Sequence, residues 1–323
     1  MQIFVTGGAG FVGSAVVRRL RSRGDAVVAA VRDPDRARAL TDLGCRLIRS
    51  DLSSSVELTG LMAGSDAVIH AAGSYRIGIA KSERPAMELA NIGATARVLD
   101  AAIAAGAPRI VYVSTLNVFG DTHGQIVDET YRRDTREGFL SWYDDTKYRG
   151  HLVAEARIEA GAPIVIAMPG QVYGPGDHSA VGAQLEGAFH GRLPYLALTN
   201  VGLSFVHVED LASGIVAACD QGRPGESYGL GGPSVRLIEA LTIAARLGGR
   251  RLPRLAMPTG LLRIMAPLSG LLGGRLGIPA NLGEVISGGD GVTYWASHVK
   301  ASHELGFTPR DLEAGLRATF IAP

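Results

Sequence analysis

The chain has 323 residues, with 32 Lys and Arg against 31 Asp and Glu. A net charge of +1 gives no overall footprint for nucleic acid or an anionic membrane. The two cysteines, Cys45 and Cys219, stand in no CxxC or Cys/His spacing, which excludes a disulfide scaffold and a zinc site.

In chain order, Gln2–Thr6 reads as a short apolar strand, then a glycine loop and a helix over Phe11–Arg23. Ala26–Val31 is a continuous apolar run of the kind found in buried parallel strands. Helices are expected at Pro34–Leu43 and Ser55–Ala63, and strands at Arg46–Arg49 and Ala67–Ala71. A long Ala-rich helix, Pro85–Ala105, ends at Gly106 and Pro108. Strand Arg109–Ser114, a helix over about Ser141–Ala160 and strand Ile164–Ala167 complete the first half. This rhythm predicts an α/β protein of Rossmann type, a doubly wound parallel sheet with helices on both faces. After about Pro169, glycine and proline break the chain often, and helices such as Leu237–Leu247 and Arg310–Thr319 dominate. The expected organisation is a dinucleotide-binding domain over residues 1–168 and a smaller, mostly helical substrate region over 169–323. The later half is expected to return to the sheet edge around 203–230.

The opening residues lack a basic n-region, so a cytoplasmic protein without a signal peptide is expected. The apolar stretch Leu261–Pro279 is interrupted by Arg263, Pro267, Gly273, Gly274 and Arg275, too broken to span a membrane. It reads as an apolar substrate wall or a partner surface.

Glycines at 7, 10 and 13 lie between the first strand and the first helix. Gly7 permits a tight turn, Gly10 lets backbone approach a pyrophosphate, and Gly13 lets helix and strand pack closely. The N–H groups of the helix start, Phe11 and Val12 included, then face the phosphates. At the end of the second strand, an acidic residue would bind the ribose 2′-hydroxyl of NAD and an arginine would accept the 2′-phosphate of NADP. The strand ends Val31-Arg32-Asp33. Arg32 favours NADP; the alternative is NAD, with Asp33 on the ribose.

Only Lys81, Lys147 and Lys300 are lysines. Tyr143 and Lys147 stand at i and i+4, on one helix face. Chance placement of nine Tyr and three Lys over this length yields about 0.08 such pairs. A phenol ionises near pH 10 and is a poor base at neutrality; an adjacent ammonium favours the phenolate and would bring it toward the operating range. Lys81 and Lys300 read as solvated.

The landmarks follow in a fixed order: the glycine loop; Asp51-Leu52; His70-Ala71-Ala72-Gly73; Asn91; Ser114-Thr115; Tyr143 with Lys147; Pro169-Gly170-Gln171-Val172-Tyr173-Gly174-Pro175; and His207-Val208-Glu209-Asp210. Over nearly its whole length the chain resembles the extended short-chain dehydrogenase/reductase family, also called the NAD-dependent epimerase/dehydratase family. The resemblance implies that Asp51 and Leu52 flank the adenine. It puts Ala71, Ala72 and Gly73 along the phosphates and ribose, and Pro169, Gln171 and Val172 at the nicotinamide. It makes Tyr143, Lys147 and Thr115 the catalytic set, with Ser114 as the alternative hydroxyl or a group beside the nicotinamide ribose. Asn91 would fix the long helix or a water near Lys147, or be a plain helix-interior amide. A homodimer through the two long helices is also implied.

Departures from the family bear on substrate. Met168 and Gln171 stand where many sugar-nucleotide members carry Arg and Asn, and Leu203-Ser204-Phe205 replaces Arg-Asp-Phe. Leu116 and Asn117 replace the Asp-Glu pair of sugar dehydratases, and His151 replaces a common Glu. Arg192 and Arg236 remain as possible diphosphate ligands. Together with Val31-Arg32-Asp33-Pro34 and the apolar C-terminal half, this is similar to the dihydroflavonol-reductase-like branch. The expected activity is carbonyl/alcohol interconversion on a small, largely apolar molecule. The alternatives are a sugar or sugar-nucleotide epimerase working by transient oxidation, and a non-catalytic NADP-binding sensor or scaffold. No metal is expected.

Overall fold

Five of the apolar runs form parallel strands at the centre of the fold. The computed structural model describes residues 1–269 and 279–321. In chain order, β1 (Gln2–Thr6), α1 (Phe11–Ser22), β2 (Ala26–Val31), α2 (Arg38–Asp42), β3 (Arg46–Arg49), α3 (Ser55–Met62) and β4 (Ala67–His70) come first. Then follow α4 (Arg84–Glu88), α5 (Ala94–Ala104), β5 (Ile110–Val113), α6 (Trp142–Glu159) and β6 (Ile164–Pro169). The later half holds β7 (Gln171–Tyr173), α7 (Ala180–His190), β8 (Gly202–His207), α8 (Val208–Gln221), β9 (Ser227–Leu230), β10 (Ser234–Arg236) and α9 (Leu237–Leu247). It closes with α10 (Thr259–Met265), α11 (Leu282–Gly289), β11 (Thr293–Tyr294), α12 (Val299–Leu305) and α13 (Leu312–Phe320).

The main sheet has the order β3-β2-β1-β4-β5-β6-β9, and every neighbouring pair is parallel. Beside β1 the chain winds one way to β2 and the other way to β4, which opens a crevice beyond the strand ends. One face is covered by α1 and α8 through Val16, Val17, Leu20, Leu211 and Ile215; the other by α3, α5 and α6 through Leu58, Met62, Val98, Leu99 and Ala154. Each of these side chains larger than alanine contributes about 1.5–3 kcal/mol on burial.

Two expectations change. The helix expected over Pro85–Ala105 is α4, a π-helical turn at Leu89–Gly93, and α5. The later half is mostly helical, as expected, but it also holds a second, short-stranded sheet that its broken sequence did not suggest. In its second sheet, β8 pairs with β10 and β11 along its first half and with β7 along its second. Part of the apolar stretch Leu261–Pro279, residues 270–278, lies outside the described residues. Among the described residues no helix is long and apolar enough to cross a membrane.

Candidate active site

The glycine loop is built by close backbone approach. Gly7 turns with φ +73°, and a side chain there would strike the backbone nitrogen of Ala72 at 2.6 Å. A Cβ on Gly13 would lie 2.1 Å from the carbonyl oxygen of Gly7. Gly10 caps α1 without a side chain, and the first turn holds no acid. The N–H groups at Phe11, Val12 and Gly13 therefore open onto the crevice as an anion cradle, which fits a dinucleotide pyrophosphate.

Further along the crevice, Leu52 has φ +62°, a conformation that costs a branched residue about 1–3 kcal/mol. Its N–H donates to Ser50 Oγ at 3.2 Å and its carbonyl accepts from Arg97 Nε at 2.7 Å. Hydrogen bonds from Ser53 hold the Asp51 carboxyl below the ordinary carboxylate range. Ala71, Ala72 and Gly73 run between Gly7 and the Asn91 side chain. Arg32 is exposed after β2, whereas Asp33 accepts from the Asp35 N–H at 3.1 Å and pairs with Arg36 at 3.3 Å.

His70, at the end of β4, is fully buried. Its Nδ1 lies 2.7 Å from Thr6 Oγ1 and its Nε2 3.2 Å from Thr95 Oγ1. Burial, with the nearby charge of Lys147, pushes it down to about 3, so the ring is neutral. It ties the ends of β1 and β4 to α5.

Tyr143, Lys147, Thr115 and Ser114 are all buried and lie together beyond β5. Ser141 caps α6 by accepting from the Asp144 N–H at 3.1 Å, which sets Tyr143 in the first turn. Among the described residues no hydrogen bond joins the Lys147 ammonium to the Tyr143 phenol. Its Nζ donates to the Val113 carbonyl at 3.2 Å and sits 5.2 Å over the Tyr112 ring. Burial instead drives the Tyr143 phenol well above its ordinary value; Tyr75 adds to this and the Thr115 hydroxyl opposes it. The phenol is therefore held protonated, because the desolvation of its charged form outweighs the Thr115 hydrogen bond.

The two adjacent hydroxyls point to different partners. Thr115 serves the phenol side and also lies 3.1 Å from Asn117 Oδ1 and 3.5 Å from the Pro169 carbonyl. Ser114 Oγ lies 3.0 Å from His151 Nδ1, whose Nε2 is 3.4 Å from Glu155. His151 thus keeps a carboxylate partner one turn along α6. Gln171 is half-buried and donates to the Val172 carbonyl at 3.3 Å. Arg192 pairs with Glu186 at 2.9 Å, while Arg236 binds the carbonyls of Asn200 and Gly291 and stacks on Trp295. Lys300 is not merely solvated: it pairs with Glu226 at 2.6 Å and fastens α12 to β9.

Asn91 is the hub of the site's scaffold. Its Oδ1 accepts from the Ser74 N–H at 2.7 Å, and its Nδ2 donates to the Ser74 carbonyl and to Thr146 Oγ1, each at 3.0 Å. The π-helical turn presents this amide between the loop after β4 and α6. Sequence reasoning missed the buried pair Arg133–Asp144, 2.7 Å, which pins the loop before α6 one residue after Tyr143. It also missed the wall around the phenol. Ile79 and Met87 pack on Tyr143 with Ile77 and Trp142, and Tyr75 meets its ring edge-on at 4.8 Å. That wall is clasped to α11: the Asn281 N–H donates to the Gly78 carbonyl, and Arg84 pairs with Glu284 at 2.8 Å.

Residues 3–231 match the NAD dependent epimerase/dehydratase family. The chain belongs to that family. It is thus an NAD(P)-dependent enzyme of the extended short-chain dehydrogenase/reductase type, a group of oxidoreductases, epimerases and dehydratases. Among relatives in the family, a 2-alkyl-3-oxoalkanoate reductase of Stenotrophomonas maltophilia is 30% identical over 98% of each chain. A dTDP-glucose 4,6-dehydratase of Mycobacterium tuberculosis is 29% identical over 71% of each chain. The solved structure of MoeE5 in complex with UDP-glucose and NAD superposes with a TM-score of 0.77 at 25% identity, covering 99% of this chain and 97% of that one. Family membership fixes the cofactor class and leaves the substrate to the site's own chemistry.

Proposed function

We propose that this protein is an NADPH-dependent ketone reductase acting on a small, largely apolar substrate, with Tyr143, Lys147 and Thr115 as its catalytic groups. The observation that carries the reading is the surroundings of Tyr143. Ile77, Ile79, Met87, Trp142 and Tyr75 enclose the phenol, and Arg192 and Arg236 are already engaged elsewhere. A diphosphate needs cations; an aliphatic ketone needs this wall. Similarity to an oxoalkanoate reductase over nearly the whole chain supports the same reading.

The dinucleotide would lie on Gly7, Gly10, Phe11, Val12 and Gly13, reach Asp51, Leu52 and Ala71–Gly73, and meet Ser114, Pro169, Gln171 and Val172 at its other end. Arg32 would face the 2′-phosphate, since Asp33 already holds Asp35 and Arg36. The bound cofactor supplies the hydride. The protonated phenol of Tyr143 gives its proton to the carbonyl oxygen as charge develops there, and the Thr115 hydroxyl donates a hydrogen bond to the same oxygen. Reduction begins from the protonated phenol, the form that burial favours, whereas an epimerase must begin by taking a proton. Lys147 stabilises the phenolate left behind.

Other parts of the reading are proposals of the same kind. Residues 1–168 carry the cofactor and 169–323 shape the substrate side. Exposed Leu89 and Ile103 along the α4–α5 stretch and Leu152 on α6 support a homodimer there. Two buried free thiols, Cys45 and Cys219, suit the reducing cytoplasm. The test is stoichiometric oxidation of NADPH by a medium-chain aliphatic ketone, followed by absorbance. Tyr143→Phe should lower kcat by about 10²–10⁴. Full turnover in that variant would remove the mechanism. Isomerisation of a sugar nucleotide without net NADPH loss would replace reductase by epimerase, and cofactor binding without any turnover would favour a sensor.

A further inference from the structure

The near-neutral chain hides a segregated charge. From residue 240 to residue 283 there is no Asp or Glu, and six of the 32 basic residues are arginines in that segment. The remaining 26 basic residues therefore face all 31 acids, so a segment of +6 sits on a remainder of −5. Arg246 pairs with Glu313 and Arg263 with Asp290. Arg250, Arg251 and Arg254 are exposed and meet no carboxylate among the described residues.

Large apolar side chains are exposed along the same stretch: Leu255 is 64% exposed, Leu261 46% and Ile264 74%. Leu261 and Ile264 stand at i and i+3 on α10, on one face. Leu262, from the other side of that helix, packs on Leu282 and Ile286 of α11 and seats it on the protein. α11 is in turn clasped to the wall over Tyr143 through Asn281 to Gly78 and Glu284 to Arg84.

We propose that this face docks on an anionic lipid bilayer. Aliphatic side chains would enter the headgroup boundary while the flanking arginines extend their stems to lipid phosphates. Charge selects this occupant: three exposed cations that meet no carboxylate among the described residues lead directly into the exposed aliphatic residues, on a chain that is acidic elsewhere. The inference deepens the ketone-reductase reading, because an apolar ketone concentrates in the bilayer beside the wall that encloses Tyr143.

The test is flotation of the full-length protein with vesicles, without cofactor or substrate. Vesicles of phosphatidylcholine containing phosphatidylglycerol should bind at least tenfold more protein than phosphatidylcholine alone, and high salt should weaken the binding. Arg250→Gln/Arg251→Gln/Arg254→Gln should lose at least tenfold in partition. Leu255→Ser/Leu261→Ser/Ile264→Ser should lose binding at low and high salt alike. Both variants should keep turnover of a water-soluble ketone. Equal binding to the two vesicle types, or unchanged binding of both variants, overturns the proposal. So does an oligomer that the apolar variant dissolves, which would make the face a contact between copies. Vesicle binding without turnover of any ketone would overturn the reductase reading alone.

Discussion

Replacing Asn91 by Leu removes a side chain of similar size and three hydrogen bonds. Asn91 is 1% exposed, and its bonds of 2.7, 3.0 and 3.0 Å join the loop at Ser74 to Thr146 on α6. Thr146 keeps its own donation to the Tyr143 carbonyl at 3.1 Å, so its loss is small. The N–H and carbonyl of Ser74 lose their partner; each costs about 1–3 kcal/mol where water cannot replace it. Ser74 is half-buried, which puts the sum at about 2–4 kcal/mol. With an unfolding entropy of about 2.1 cal/mol/K per residue, a chain of this length loses about 1.5 °C per kcal/mol, or about 3–6 °C in all. Calorimetry measures that shift. The loop that slackens carries Tyr75 and the wall against Tyr143, so kcat should also fall while cofactor affinity, set at the glycine loop, stays. A variant with Tm within 1 °C of the parent and unchanged kcat would refute the claim that this amide holds the site together.

The hydroxyl pair separates by substitution: Thr115→Val should cut kcat by about 10²-fold or more, whereas Ser114→Ala, whose partner is His151, should cost less than tenfold, and the reverse order in steady-state assays would exchange their roles. His70 makes stability depend on pH. Its folded value, about 3, lies below the ordinary 6.5, so the unfolded chain binds the extra proton and stability is lost as pH falls below about 6.5. The slope this one group adds approaches 1.4 kcal/mol per pH unit, and urea unfolding at pH 7 and pH 5 should show it. His70→Gln should flatten that slope; an unaltered slope would place the acid sensitivity elsewhere.

The central strands were legible because a strand buried on both faces is written as an unbroken apolar run, as in Ala26–Val31 and Ile164–Ala167. The glycine loop was legible for a similar reason: only glycine fits where backbone meets backbone at 2–3 Å, as at Gly7 and Gly13. β8 was not, since Gly202 and Ser204 interrupt its run and its neighbours β7, β10 and β11 have two or three residues each. The π-helical turn left only a polar residue inside an apolar helix, a pattern that equally describes a solvated position. Spacing placed Tyr143 and Lys147 on one face, but the direction of the ammonium depends on the Val113 carbonyl and the Tyr112 ring, which only the assembled sheet supplies. Burial of the phenol, which opposes the expected tuning, is likewise a property of packing.

The position of β9 affects how the protein must be made. β6 is finished at Pro169, yet its outer neighbour is Ser227–Leu230, which follows the second sheet's first strands and α8. During synthesis the nascent sheet therefore carries an open hydrogen-bonding edge until residue 230 has left the ribosome and folded back. A shortened chain ending at residue 168 would display that edge permanently, and an unpaired parallel strand is a template for other chains. The cofactor half of this enzyme is a finished surface only in the company of the half that follows it.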